Sequence, residues 1–364
     1  ACWQPTLHHP LLPMTRRRLQ EIIEGMAQAR IGVIGDFFLD KYQEIDPDLE
    51  EVSVETGRAA HQVVRKWSAP GAAGTVVNNL FGLEAGRIYV CGVTGDDGDA
   101  YELRRGLSET DTSALLPSSE LFTPVYAKTM LKGKKGLAAE LDRFDTKNLQ
   151  PMPEGVQDDL IRSIDRVWPI LDAIIIADQV ETEDCGVVTS RVREHIISRA
   201  EAEPAKIIWA DSRRRIGLFK NISIKPNEAE CVRAVQQVEG VTNPDEFFDD
   251  EEVRRCATAL QKRLGSTVCV TRSRRGAQIF DGEDLIAVPG VQVSEPTDPT
   301  GAGDSVMAGT VLAQASGATI PEAVLIGMLV GSITVEVLGA TGSAKPEQLE
   351  ERLSLWREQN LSAD

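Results

Sequence analysis

The chain has 364 residues, 42% hydrophobic and 26% charged, and its acidic residues outnumber the basic ones to a net charge of −17. That length gives a sizeable core, in one large α/β unit or two ordinary domains, and the composition is globular and not disordered. The acidic balance argues against general binding to nucleic acid or an anionic membrane, so any phosphate must be met by local devices such as helix N-termini or short basic clusters.

Residues 1–13 carry no initiating Met and no periodic pattern, and are read as an extension expected to be disordered; His8 and His9 are its only metal hint. A single domain is expected from Met14 to Asp364. The opening has neither a signal peptide's apolar run nor a transmembrane length. Six cysteines lie far apart with no CxxC pair, which fits a reducing cytoplasm and neither a zinc site nor a disulfide framework.

In chain order, short apolar runs ending in a polar residue predict strands at 30–35, 88–95, 173–177, 206–210, 222–226 and 267–270, each followed by Asp, Asn or Thr. They are nearly continuous in Ile, Val and Ala, as in strands covered on both faces, and parallel strands need crossovers. Helices are predicted at 75–83, 184–200, 227–235, 244–264, 303–315 and 321–338. The pattern predicts a three-layer α/β/α sandwich around a mainly parallel sheet. Insertions near 41–67 and 121–136 are β-branched without intervening helix and predict a small β lid. From Ser305 to Val335 only Glu322 is charged, but Ala315-Ser316-Gly317 and Pro321 divide the stretch into two buried helices, not a membrane span. The run Asp245 to Glu252 reads as a solvated loop or helix start.

The most informative segment is Asp298-Pro-Thr-Gly-Ala-Gly-Asp-Ser305, entering a small-residue helix. Gly301 and Gly303 let successive N–H groups point at an anion on the helix N-terminus. A carboxylate at Asp304 would repel that anion unless it takes a proton from a hydroxyl nucleophile while the amides meet charge on a transferring phosphoryl group. The alternative is a glycine-rich loop with a capping aspartate.

This segment resembles the second signature of the ribokinase-like carbohydrate kinases, the PfkB family, and the resemblance runs from about Arg30 to Gly342. The order of segments is most similar to heptose-7-phosphate kinases. The resemblance implies Asp304 as catalytic base, with Gly301, Ala302 and Gly303 as the anion hole and Thr300 beside the nucleotide. Asp36 and Asp40, leaving the first strand, are expected to accept sugar hydroxyls, or else are turn aspartates. Gly71, Ala72 and Thr75, in APGAAGT, resemble the first signature and are expected at the sugar, although Ala72 stands where a second glycine is usual and Thr75 where asparagine is usual. Thr94-Gly95-Asp96-Asp97 fits the family but reads as a turn. Lys128 and Arg143 align with substrate-facing positions, and Lys132, Lys134 and Lys135 add positive charge nearby, or form a solvated loop.

Asn227 and Glu230 match the family's NxxE element, implied to organise Mg²⁺ through water, or are ordinary helix-start residues. Thr271 and Gly276 lie in a turn that borders ATP in the family; Ser273 replaces its usual glycine, and Arg272, Arg274 and Arg275 face either phosphates or solvent. Potassium near Asp298 and Gly339 is a family option without a side-chain signature. These residues predict an ATP- and Mg²⁺-dependent kinase acting on a sugar or sugar phosphate, best a heptose 7-phosphate, by in-line transfer. The basic cluster in an acidic protein favours the phosphorylated substrate. Rival readings are a kinase for an unphosphorylated sugar or nucleoside, and a non-catalytic sugar sensor. A homodimer through the lid is expected, because a small flap cannot bury both faces alone and related kinases pair their lids.

Overall fold

A computed structural model describes residues 14–134, 139–236, 248–339 and 341–361. The extension 1–13, with His8 and His9, and Lys135 of the basic loop lie outside the described residues.

Helix α1 (Arg16–Met26) leads into β1 (Arg30–Gly35) and, one residue later, β2 (Phe37–Ile45). A ribbon of β3 (Glu51–Val52) and β4 (Ala59–Ala60) precedes β5 (Val63–Ala72), α2 (Ala73–Gly82), β6 (Arg87–Gly95), α3 (Gly98–Gly106) and β7 (Asp111–Ser118). Then come β8 (Val125–Leu131), β9 (Glu140–Thr146), α4 (Glu154–Val167), β10 (Ala173–Asp178), α5 (Ser190–Ala202), β11 (Ile207–Ser212) and β12 (Ser223–Ile224). The last part runs α6 (Glu228–Gln236), α7 (Asp250–Leu264), β13 (Val268–Thr271), β14 (Ala277–Asp281), β15 (Asp284–Val288), α8 (Ala302–Ala315), α9 (Ile320–Thr334) and α10 (Pro346–Leu361).

Among the described residues, nine strands form the central sheet in the order β15-β14-β13-β12-β11-β10-β1-β6-β7, parallel except at β13–β14 and β14–β15. Neighbouring residues of its inner strands serve opposite faces. On β10, Ala173, Ile175 and Ala177 join the core under α1, α2, α8 and α9, while Ile174 and Ile176 join the core under α4 to α7. Burial on both sides explains the continuous apolar runs and gives the three-layer sandwich. Helices α8 and α9 are buried on nearly every face, which accounts for their membrane-like composition. No described helix is long and apolar enough to cross a membrane.

Several boundaries differ from expectation for local reasons. Helix α5 starts at Ser190, not Asp184, because Thr189 caps it by accepting the Val192 N–H. Helix α7 starts at Asp250, capped by Asp249; residues 244–247 of the longer predicted helix lie outside the described residues. Asp97 caps α3 and also accepts from Thr123, the turn role read from TGDD. The second sheet, in the order β5-β2-β8-β9, begins at Phe37, ahead of the expected 41–67 insertion, and extends to Thr146. It is mixed, since β2 and β8 run parallel. Cys91, Cys185, Cys231, Cys256 and Cys269 are free and buried, and burial pushes the Cys91 and Cys269 thiols up to about 12.

Candidate active site

The turn into α8 is built by Gly301, whose φ of 77° is the left-handed conformation that glycine adopts without a Cβ clash. Asp298 fixes the turn, accepting the Thr300 N–H at 3.0 Å and the Gly339 N–H at 3.1 Å. Ala302 N–H closes the turn on Pro299 O at 3.1 Å. The next amides, Gly303 and Asp304, lie in the first helical turn, where no intrahelical acceptor exists. An anion is therefore met by two N–H groups and the positive end of the α8 dipole.

The Asp304 carboxyl accepts no hydrogen bond among the described residues. Burial first, then the negative charge of Asp211, push it up to about 7, with Lys225 and Arg213 pulling the other way. Lys225 is buried, its Nζ 2.9 Å from Asp211 Oδ2, and a Cβ placed on Gly303 would lie 3.5 Å from that ammonium. Glu230 completes the group, also pushed up to about 7 by burial and by Asp211. One buried ammonium thus faces three carboxylates at the mouth of the α8 amides. A carboxyl near 7 beside an anion hole is suited to accept a proton from an alcohol at neutral pH.

Asp40 lies on β2 in the lid sheet. It is buried and accepts no hydrogen bond among the described residues; burial raises its pKa, while Lys128 and Arg143 oppose the shift. A Cβ on Gly71 would sit 2.7 Å from Asp40 Oδ2, so glycine is what allows the carboxylate to lie against β5. Lys128 rests on the Tyr42 ring, 5.0 Å from its centroid, and stands directly across the strand pair from Arg143. Two like charges opposed in a sheet repel each other, so Asp40 and Asp145 offset a cost here. Arg143 forks onto Asp145 at 2.8 and 3.1 Å and covers the Tyr126 ring.

The expected pairing of Asp36 with Asp40 at the sugar does not hold in geometry. Asp36 accepts the backbone N–H groups of Gln179 at 2.7 Å, Val180 at 2.9 Å and Val187 at 2.6 Å. Both oxygens are occupied, so Asp36 pins the loop after β10. Thr75 is buried with its methyl against the Gly301 turn, and serves as a joint between α2 and α8. Ala72 adopts φ 53° and ψ −118°, a conformation suited to the glycine usual there.

On the other side, Asn227 and Glu230 cap α6 reciprocally: Asn227 N–H donates to Glu230 Oε2 at 2.9 Å, and Glu230 N–H to Asn227 Oδ1 at 2.8 Å. The helix-start role is therefore real, and Glu230 Oε1 is left for another partner. No cluster of three or more metal-ligating side chains exists among the described residues. The open Glu230 oxygen is a ligand of the kind that Mg²⁺ reaches through water. Thr271 lies beside Asn227 through a β-bridge, Thr300 is exposed at the turn, and Gly276 has φ 93° where Val288 O approaches closely.

The three arginines after β13 pair with carboxylates, Arg272 buried and Arg274 and Arg275 exposed. Arg272 and Arg275 bind Glu228 and Asp250, tying α6 to α7, and Arg274 pairs with Glu295. Lys225 and Arg213 are the cations that sequence reasoning missed. Lys225 had one signal, a lysine at the end of a strand otherwise apolar, immediately before Pro226-Asn227.

The profile described as pfkB family carbohydrate kinase matches residues 222–348. Among curated proteins, the chain is 28% identical over 326 residues to Bifunctional protein HldE of Nitratiruptor sp., covering 88% of the chain and 64% of that protein. It is 27% identical over 340 residues to the protein of the same name from Gluconobacter oxydans, covering 91% and 66%. The chain spans about two thirds of the length of these relatives. Among solved structures, Arabidopsis thaliana ribokinase complexed with ribose and ATP matches with a TM-score of 0.64 at 16% identity, over 89% of this chain and 98% of that one. Phosphofructokinase-2 from Escherichia coli, in complex with substrates and products, gives 0.64 at 17%, over 90% and 99%. At such identities the likeness is one of fold.

Proposed function

We propose that the chain, which matches the pfkB carbohydrate kinase family over residues 222–348 and shares the ribokinase-like fold, is a sugar kinase that phosphorylates a hydroxyl of a sugar phosphate, best a heptose 7-phosphate, by direct in-line transfer from ATP. The observation that carries the reading is Asp304: a buried carboxyl pushed up to about 7, without a hydrogen bond among the described residues, at the amides that open α8. Asp304 takes the hydroxyl proton as the acceptor attacks. The Gly303 and Asp304 N–H groups, in the turn set by Gly301 and Ala302, meet charge on the transferring group, and Lys225 adds a cation. ATP would supply the phosphoryl group and leave as ADP, and Mg²⁺, held through water by Glu230 and Asn227, would neutralise the phosphate charge. Asp40 holds a sugar hydroxyl from the lid, its carboxylate lodged in the space that Gly71 leaves on β5.

The phosphorylated substrate is supported by the segment order and by basic side chains around an acidic protein's cleft. Kinases for an unphosphorylated sugar or a nucleoside, and a sugar sensor without turnover, are the rivals. An ATP-consumption screen over sugars, sugar phosphates and nucleosides separates all of them. Turnover with sugar phosphates supports the reading, turnover only with neutral acceptors moves it to the first rival, and binding without turnover to the last. Potassium near Asp298 and Gly339 belongs to the proposal and is checked by replacing K⁺ with Na⁺ in that assay. So does a lid-to-lid homodimer, supported by exposed Val63, Val64, Leu141 and Phe144 on the edge strands β5 and β9. A monomer by light scattering at micromolar concentration removes it.

A further inference from the structure

A cavity of about 260 Å³ opens where the lid meets the carboxyl ends of β10 and β11, walled by Phe38 and Tyr126 from the lid and by Gln179 and Arg213 from the sheet, with Lys147 between. Its polar lining is one-sided. The Asn148 side chain is closed onto the Phe122 backbone, donating to its carbonyl and accepting its N–H at 2.9 Å each. Glu181, the one carboxylate of the lining among the described residues, is held by Arg214 at 2.8 and 3.0 Å and also feels the charges of Arg213 and Lys147. Donors remain. Arg213 uses Nε alone, on Gln179 Oε1 at 2.9 Å, and its terminal nitrogens have no partner among the described residues. Lys147 shares Asp145 with Arg143, so two cations stand over one carboxylate.

The floor is set before any ligand arrives. Asp36 ties down Gln179 and Val180, and Arg215 bonds Asp178 at 2.6 and 3.1 Å and Glu181 O at 3.0 Å. The edge-to-face pair of Phe38 and Tyr126, 5.0 Å between centroids, forms a stiff apolar wall. Such a lining, donors on one side and aromatic carbon on the other, recognises an anion carried on a short carbon chain. The cavity also lies near the transfer site, since Arg213 follows Asp211, the partner of Lys225, by two residues at the end of β11.

We infer that this cavity receives the phosphate already present on the sugar, with Arg213 and Lys147 supplying the charge and Phe38 and Tyr126 packing the carbon chain. The inference rests on the sugar-phosphate reading above, and it shifts the anion away from Lys128 and Arg143, which lean on Tyr42 and Asp145.

Calorimetric titration without ATP, using heptose 7-phosphate and the unphosphorylated heptose as probes, tests it. Wild type should bind the phosphorylated probe at least about tenfold more tightly, and a double variant Arg213→Gln with Lys147→Gln should reduce that preference to about twofold or less. Both side chains are exposed, so melting curves should verify an intact fold, and Arg213→Lys should retain part of the preference. A preference that survives the double variant, or vanishes instead in Lys128→Gln with Arg143→Gln, overturns the subsite and leaves the sugar-phosphate reading standing. No preference in wild type overturns that reading, and the subsite with it.

Discussion

Asp211 holds Lys225 by a 2.9 Å contact between Oδ2 and Nζ, and both side chains are largely withdrawn from water at the turn that opens α8. The ammonium is the shared counter-charge of Asp211, Glu230 and Asp304. Lys225→Met should therefore cost about 3–5 kcal/mol at pH 7.5, as expected for a buried ion left without its partner. Without the ammonium, Glu230 and Asp304 hold their protons still more tightly in the fold, so the native state gains protons relative to the unfolded chain and stability recovers as pH falls. Urea denaturation at pH 7.5 and 5.5 checks this; an equal loss at both would show that Lys225 acts by packing alone.

Asp304→Asn keeps the shape of the side chain but cannot take a proton, and should lower kcat by about 10² to 10⁴ while the fold persists. The same substitution removes a carboxylate whose folded pKa, about 7, lies above its value in the unfolded chain. Wild type loses stability as pH rises through that interval, because the buried group must ionise. The variant should thus melt higher than wild type at pH 8, with the difference shrinking by pH 5. Near-native turnover would remove Asp304 from the base role.

The pH profile of wild type follows from the same residue. The base works deprotonated, so kcat/KM should fall with decreasing pH below about 7, towards tenfold per unit. Glu230, also pushed up to about 7 by burial and Asp211, titrates in the same range, so Glu230→Gln separates its share of the limb from that of Asp304. A profile flat down to pH 5 would contradict a carboxyl of this kind in the rate-determining proton transfer.

Ala72 offers a test on the substrate side. At φ 53° and ψ −118° its Cβ is strained, by about 1–3 kcal/mol in such regions. Ala72→Gly relieves that strain and returns part of the gain through the freer unfolded chain, about 0.4–1 kcal/mol. A net stabilisation near 1 kcal/mol by urea denaturation is expected, and a net loss would mean that the methyl packs usefully.

The inner strands were legible because burial on both faces leaves a continuous run such as Ala173 to Ala177. Amphipathic α1, α4 and α10 were harder to see, since charged residues such as Arg16 to Arg18 dilute their apolar stripe. Strand β2 was hidden for a different reason: only Asp36 separates it from β1, so one nearly unbroken apolar stretch feeds two different sheets. At the site, Asp304 and its glycines follow from spacing. The burial of Lys225 and the pairing of Arg272 and Arg275 do not, because they depend on which carboxylates the tertiary fold brings near. Asp36 and Asp40 look alike in sequence and differ only in what surrounds them.

The single-residue step from β1 to β2 also constrains how the flap can move. Its root is a core strand running straight on, and the one linking residue is clamped by three hydrogen bonds that its carboxylate accepts from backbone N–H groups of the loop after β10. That root has no slack and cannot act as a hinge. Opening or closing over a substrate must be absorbed as twist along Phe37–Ile45, where the ladder to β5 slips register between Glu44 and Ile45, so the far tip travels while the end nearest Asp36 stays in place.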